Sequence, residues 1–260
     1  MTIEQARVLM HEAVSGAYRA LTLEIPPIAA VVRPGQFIHL RVPGLDGATL
    51  RRPFSVFAAT ERAIRVLYKP VGRGTETMTR LGEGDSVSLM GPLGNGFPLD
   101  RDRTVPVLVA GGYGVAPLFF LASRLPSRGV VFIGGASAAD VLCVEDFRRL
   151  GWEVETATED GSIGHRGRVT VPLDERLRAE SFGGTPEFYA CGPDGLLKGV
   201  GERAVARNRM AWLSLDKHMG CGVGACLACV QKVRRPDGST RWARVCKDGP
   251  IFESREIVWL

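Results

Sequence analysis

The chain has 260 residues, 45% hydrophobic and 23% charged, with 32 glycines and a net charge of +5 from 33 Lys and Arg against 28 Asp and Glu. That length and balance fit an ordinary globular protein of two or three domains and exclude a disordered, fibrous or low-complexity chain. The basic residues are dispersed and aromatics make up only 7%, so no stretch interleaves positive charge with stacking rings as single-strand nucleic-acid binders do.

The opening MTIEQARVLM lacks the basic cluster and apolar core of a secretory signal. The apolar stretch Ile25 to Val32 contains two prolines and is shorter than the ~20 residues needed to cross a bilayer. The expectation is a cytoplasmic protein without membrane or nucleic-acid partners. Six cysteines in that setting read as thiolates for metal or redox work rather than as a disulfide framework.

From about residue 3 to residue 100, short alternating or β-branched runs recur between glycine and proline signals: ALTLEI, QFIHLRV, FSVFAAT, AIRVLYKP and SVSLMGP. They predict an antiparallel barrel or sandwich over residues 1–101. Within it, Arg52-Pro53-Phe54-Ser55 lies between two such runs, and Leu67-Tyr68 leads into the glycine-rich Lys69-Pro70-Val71-Gly72-Arg73-Gly74-Thr75. A guanidinium fork and exposed glycine N–H groups both suit a pyrophosphate, although a tetrapeptide of this kind also arises by chance in turns.

From Val105 the texture changes to apolar strand, glycine, then helix: VPVLVAGG before YGVAPLFFLASRL, GVVFIGGA before DVLCVEDFRRL, and EFYACGPDGLLKGVGERAVAR. This alternation predicts a doubly wound parallel sheet over residues 102–209. Gly111-Gly112-Tyr113-Gly114 opens a helix after a strand, where a pyrophosphate can meet backbone donors. The spacing is not Gly-x-Gly-x-x-Gly, so a plain tight turn stays open as the alternative. Cys191-Gly192-Pro193 follows the strand EFYA, and Cys191 can equally be a small residue closing a buried strand. Thr158-Glu159-Asp160-Gly161-Ser162 is an acidic turn.

The last region, 210–260, holds Cys221-x4-Cys226-x2-Cys229 and, after sixteen intervening residues, Cys246. This is the plant-ferredoxin spacing for a [2Fe–2S] cluster. Gly222, Gly224, Ala225 and Ala228 keep the loop small enough to aim backbone N–H groups at sulfur. Structural zinc is the alternative, but it usually takes two short cysteine knuckles. Cys143 reads as a packing residue, His218 as a surface residue or one behind the ligands, Asp248 as a turn former and REIVWL as an edge strand. No nucleophile elbow, carboxylate dyad or triad is present, so no catalytic side chain is expected.

Arg52, Phe54 and Ser55 resemble the Arg-x-Tyr-Ser element of the ferredoxin–NADP reductase superfamily, and Gly91-Pro92-Leu93-Gly94-Asn95-Gly96-Phe97 looks like the glycine-rich end of its flavin barrel. The resemblance implies FAD held by Arg52, Pro53, Phe54, Ser55, Leu67, Tyr68, Lys69, Gly74 and Thr75, with Arg52 on the pyrophosphate, Phe54 stacked on the flavin and Ser55 near its N5. Phe54 stands where the superfamily has tyrosine, so the phenolic hydrogen bond is lost. Cys191-Gly192-Pro193 resembles an element beside the nicotinamide ring and Thr158 to Ser162 a loop of the same superfamily. NAD would then lie on Gly111, Gly112, Gly114, Cys191, Gly192 and Pro193, with NAD against NADP left open.

The whole order of regions, including MGCGVGAC and VCKDGP, resembles the electron-transfer subunits of NAD-dependent dihydroorotate dehydrogenases. That implies a multidomain α+β fold, with an FAD barrel, a nucleotide domain and a C-terminal cluster. It also implies a role in pyrimidine biosynthesis: an FMN-containing partner oxidises dihydroorotate, and electrons pass singly through the cluster to FAD and as hydride to NAD⁺. The same resemblance implies a heterotetramer of two copies of each subunit, with the Cys221 to Cys229 side toward the donor. Bound cluster and pyrophosphate, at about −2 each, would bring the net charge to about +1. A related flavin and iron–sulfur reductase serving ferredoxin or another dehydrogenase, and a zinc-bound interaction protein, are the alternatives.

Overall fold

The computed structural model describes every residue except 46, 48, 49, 101–103 and 260. The boundary expected at 101/102 and the last residue of REIVWL lie outside the described residues. The expected architecture of barrel, doubly wound sheet and cysteine region is what the chain adopts.

Six antiparallel strands close the barrel: β1 (Thr2–Ser15), β2 (Tyr18–Glu24), β3 (Phe37–Arg41), β4 (Arg52–Ala59), β5 (Ala63–Tyr68) and β6 (Ser86–Leu93), in spatial order β1-β2-β5-β4-β3-β6. Closure leaves no edge strand for another chain to pair with. Short helices α1 (Pro26–Ala29) and α2 (Arg73–Met78) lie in its connections. Leu21, Leu23, Ile38, Leu40, Val56, Ile64, Val66 and Leu89 fill the interior.

The second sheet runs through β7 (Val105–Gly111), β8 (Val130–Gly135), β9 (Glu153–Thr158), β10 (His165–Arg166), β11 (Pro186–Cys191) and β12 (Ala211–Ser214), with helices α3 (Val115–Ala122), α4 (Val144–Arg149), α5 (Thr170–Arg178) and α6 (Asp194–Ala206) between them. Five consecutive residues are buried in β7, in β8 and in β11, the signature of parallel strands covered on both faces. The spatial order is β10-β9-β8-β7-β11-β12, and it reverses direction between β7 and β11.

Two features tie the last region to the rest. Its hairpin β13 (Val230–Arg234) and β14 (Thr240–Arg244) is followed by a turn of helix α7 (Val245–Asp248) and by β15 (Ile251–Glu253). The antiparallel strand β15 pairs with β12, so residues 210–260 supply two strands to the second sheet. REIVWL is not the edge strand expected: the strand lies just before it, Ser254–Glu256 forms a 3-10 turn, and Ile257 makes only an isolated bridge to Val233. Residues 251–254 are all buried while Arg255 and Glu256 are exposed, so burial and not the later apolar residues selects the pairing segment.

The barrel is bonded to the same segment. Asn95 donates from Nδ2 to the Ile251 carbonyl at 2.8 Å and accepts the Ile251 N–H at 2.9 Å, while its own N–H reaches the Gly249 carbonyl. Barrel and sheet also share an apolar layer in which Tyr18, Ala20, Phe57 and Leu67 pack with α3, Leu108 and Ile133. The rings of Phe57 and Phe119 stack within it at 4.8 Å. Asn95→Ala should destabilise the chain by about 1–3 kcal/mol, because it leaves two backbone groups of Ile251 unpaired. Urea unfolding of the two proteins checks this, and coincident midpoints would contradict it.

Candidate cofactor cleft and cysteine loop

A cleft of about 1390 Å³ opens between the barrel and the sheet. It lies at the C-terminal ends of β7 and β11, where the strand order reverses and the flanking loops separate to leave a crevice. Thirteen of the fifteen residues expected to hold cofactors line it: Pro53, Phe54, Ser55, Leu67, Tyr68, Lys69 and Thr75 from the barrel side, and Gly111, Gly112, Gly114, Cys191, Gly192 and Pro193 from the sheet side.

Arg52 and Gly74 are the two that do not line it. Arg52 lies over Gly74, where a Cβ would sit 2.8 Å from its Nε, so glycine lets the guanidinium rest on α2. Arg52 also donates to the Leu50 carbonyl at 2.7 Å. Thr75 uses its hydroxyl within the loop, accepting from the Val71 N–H at 2.9 Å and donating to the Gly72 carbonyl at 3.0 Å. Lys69 is fixed by Asp140 at 3.0 Å, and Asp140 also accepts the Tyr18 hydroxyl at 2.9 Å. This trio bridges β2, β5 and the turn after β8. Hydrogen bonding from Lys69 holds the Asp140 carboxyl below its usual range, and burial with the Asp140 bond pushes the Tyr18 phenol up.

Tyr68 stands edge-on to Phe54 at 5.9 Å. His11 donates from Nδ1 to the Leu81 carbonyl at 2.8 Å, and its Nε2 is hydrogen-bonded to the Tyr68 hydroxyl at 3.0 Å.

On the sheet side the backbone approaches closely. A Cβ on Gly114 would lie 2.3 Å from the Cys191 carbonyl oxygen. Burial pushes the Cys191 thiol up to about 12, so it is an uncharged wall of the cleft at neutral pH. The sequence reading missed Tyr18, Asp140, Arg168 and Lys198, all of which line the cleft. They come from four separate segments and form no short motif. Among the described residues Arg168 and Lys198 have no ion-pair partner, and both suit an anion.

The cleft wall continues to His218 and Met219, which lead into the cysteine loop. Among the described residues no three His, Cys, Asp or Glu side chains converge as a preformed metal shell. The cysteines lie in two pairs. The Cys221 N–H donates to Cys226 Sγ and the Cys246 N–H to Cys229 Sγ, each at 3.4 Å. Cys229 and Cys246 are buried, Cys221 is half-buried and Cys226 is exposed, so the solvent-facing part of the loop is Ala225 to Ala228, while Gly222 and Cys229 are buried.

The loop fits an iron–sulfur group. The N–H groups of Val223, Ala225 and Cys226 point at Cys221 Sγ from 3.3 to 3.4 Å. Burial pushes that thiol up, but the backbone donors outweigh it and bring it to about 6. Cβ atoms on Gly222 or Gly224 would collide with His39 or Lys247. Asp248 accepts the Arg244 N–H at 2.8 Å and pairs with its guanidinium, which braces the turn carrying Cys246. Cys143 is half-buried and packs against the layer shared by barrel and sheet.

The family described as the iron-sulfur cluster binding domain of dihydroorotate dehydrogenase B matches residues 216–258, taking in all four cysteines. A dihydroorotate dehydrogenase B (NAD(+)), electron transfer subunit from Geobacillus thermodenitrificans (strain NG80-2) is 39% identical over 98% of this chain and 98% of its own. The chain belongs to the dihydroorotate dehydrogenase B electron transfer subunit family. A member from Bacillus caldolyticus is 40% identical over 92% of this chain and 91% of its own. Among solved structures, an NADH-dependent reduced ferredoxin-NADP oxidoreductase, studied for flavin-based electron bifurcation, superposes with a TM-score of 0.85 at 26% identity, covering 98% of this chain and 90% of that one. The flavohem-like FAD/NAD binding domain of a Vibrio cholerae O1 biovar El Tor nitric oxide dioxygenase shares the fold at a TM-score of 0.64, over 79% of this chain and 93% of that one. Family membership favours iron–sulfur over zinc at the four cysteines.

Gly114→Ala should weaken binding of nicotinamide dinucleotide on the order of tenfold while leaving flavin absorbance intact. Titration with NADH measures it, and an unchanged dissociation constant would remove Gly114 from the nucleotide loop.

Proposed function

We propose that this chain is the electron-transfer subunit of a dihydroorotate dehydrogenase in pyrimidine biosynthesis, carrying a [2Fe–2S] cluster and FAD and using NAD⁺ as acceptor. Dihydroorotate loses two electrons and two protons to become orotate at the partner. The electrons cross this chain one at a time and, with one proton, convert NAD⁺ to NADH. Bound FAD exchanges hydride with a nicotinamide and single electrons with an iron–sulfur centre, which is why it belongs between them.

The observation that carries this reading is that one cleft is lined by the barrel motif, by both glycine elements of the sheet, and by His218 and Met219 beside the cysteine loop. The side chains bind and orient. Pro53, Phe54 and Ser55 form the flavin wall, Arg52 braces the turn suited to the pyrophosphate, and Gly111, Gly112 and Gly114 admit the nucleotide to the strand ends. The Cys191 thiol stays protonated and adds no charge beside the reacting ring.

The partner is a catalytic subunit, which we take to hold FMN and to assemble as two copies with two of this chain. Its docking site is the groove of about 460 Å³ beside the cysteine loop, lined by Leu227, Val230, Arg241, Trp242, Arg244 and Asp248. Leu227 and Trp242 are 62% and 58% exposed there, and Leu227 holds a left-handed φ of +59°. Apolar side chains exposed this far gain when a partner covers them.

Cys246→Ser should strip most of the iron while sparing FAD, since the flavin wall shares no residue with Cys246. Anaerobic metal analysis and a visible spectrum check it, and retained iron would remove Cys246 as a ligand. Trp242→Ala should weaken binding of the catalytic subunit about tenfold or more, in the range of interface anchors. The overall reading is tested by orotate-coupled NADH formation on mixing with the cognate catalytic subunit. No activity there, with ferredoxin reduction intact, would move the chain to the ferredoxin-linked reductases.

A further inference from the structure

His39 is a fully buried polar residue in the barrel wall, at 0% exposure. It sits on β3, opposite Pro53 of β4 and Met90 of β6. Two positions earlier on the same strand face, Phe37 lines the cofactor cleft, and its ring centroid is 5.7 Å from that of His39. The imidazole therefore occupies the wall just behind the flavin side of the cleft.

The far side of the ring meets the cysteine loop. Gly222 holds a φ of +73°, and a Cβ there would lie 2.6 to 2.9 Å from Cε1, Nδ1 and Nε2 of His39. Only glycine lets the loop lie against the ring. Among the described residues neither ring nitrogen has a hydrogen-bond partner. A neutral imidazole always carries one N–H donor, and a buried donor without an acceptor is rare and costly. The charged neighbour Arg51 supplies no lone pair, and its guanidinium is itself a donor to Ser88 O and Oγ at 2.8 and 2.9 Å. The loop against the ring is the one whose cysteine sulfurs already collect backbone N–H donors.

We infer that His39 donates its ring N–H to a sulfur of the iron–sulfur centre held by the Cys221 loop, and so raises the reduction potential of that centre. The inference rests on the cluster reading and adds a donor supplied by the flavin barrel rather than by the cysteine loop. Hydrogen bonds to cluster sulfurs favour the more negative, reduced state. His39 thus gives the barrel a direct influence on the potential of a centre whose ligands all lie in another region.

The test uses the full chain, purified anaerobically with FAD and cluster, in wild-type, His39→Leu and His39→Gln forms. Iron and flavin contents, thermal midpoints and EPR-monitored redox titrations are compared. His39→Leu is expected to keep iron and flavin while its reduction equilibrium constant falls about tenfold, equal to about 59 mV for a one-electron couple. His39→Gln retains an N–H donor and is expected to show less than a third of that shift. An unchanged potential in His39→Leu with iron retained overturns the inference, as does a shift in His39→Gln as large as in His39→Leu. If His39→Leu cannot hold iron, a wild-type potential in His39→Gln supports the donor, whereas loss of iron from both overturns it, because packing alone then holds the loop. A wild-type chain without iron or an EPR signal would overturn the cluster reading itself, and none of the other outcomes does that.

Discussion

Asn95 holds the backbone of Ile251 from both sides, and the placement of the cysteine loop depends on that hold. Ile251 begins β15, and β15 completes the sheet through β12. The turn carrying Cys246 ends three residues earlier, at Asp248. One asparagine side chain therefore links the barrel to the sheet and to one end of the cysteine loop. Electron passage between two centres requires a short and constant separation, and here covalent continuity, strand pairing and a side-chain clamp all act on the same few residues.

The cleft combines cations held by carboxylates with two, Arg168 and Lys198, that have no ion-pair partner among the described residues. Lys69 is held by Asp140, Lys217 by Asp194 and Arg203 by Asp174. These three are thus positioned before any ligand arrives, which lowers the ordering cost of binding. On the nicotinamide side, close backbone approach adds to the charge of Arg168 and Lys198: Gly114 against the Cys191 carbonyl leaves a neutral thiol and a glycine surface beside them.

Motif-level chemistry was legible in the sequence because it depends on local spacing. Cys221, Cys226 and Cys229 sit on one loop, Arg52 to Ser55 on one strand, and Gly111 to Gly114 on one turn, so each was found without knowing the fold. What escaped was nonlocal. Tyr18 and Asp140 meet across 122 residues of sequence, and His39 meets Gly222 only because the barrel and the cysteine loop are pressed together. The first strand was also weakly marked: of its 14 residues only Ala6 and Val8 are buried, so its alternation is mostly polar. The displaced edge strand has the same origin, since β15 is chosen by its pairing with β12 and by the Asn95 clamp rather than by the apolar character of the residues after it.

Helix α3 has seven of its eight residues buried. One side rests on the sheet and the other on β4 of the barrel, so it has almost no solvent face. Separating barrel from sheet would expose Val115, Leu118 and Leu121 together with Phe57 and Leu67, several side chains each worth about 1.5–3 kcal/mol. Two regions that differ in sequence texture and in fold class are in consequence one cooperative unit, and the crevice between them has a back wall that cannot hinge open without melting its own core.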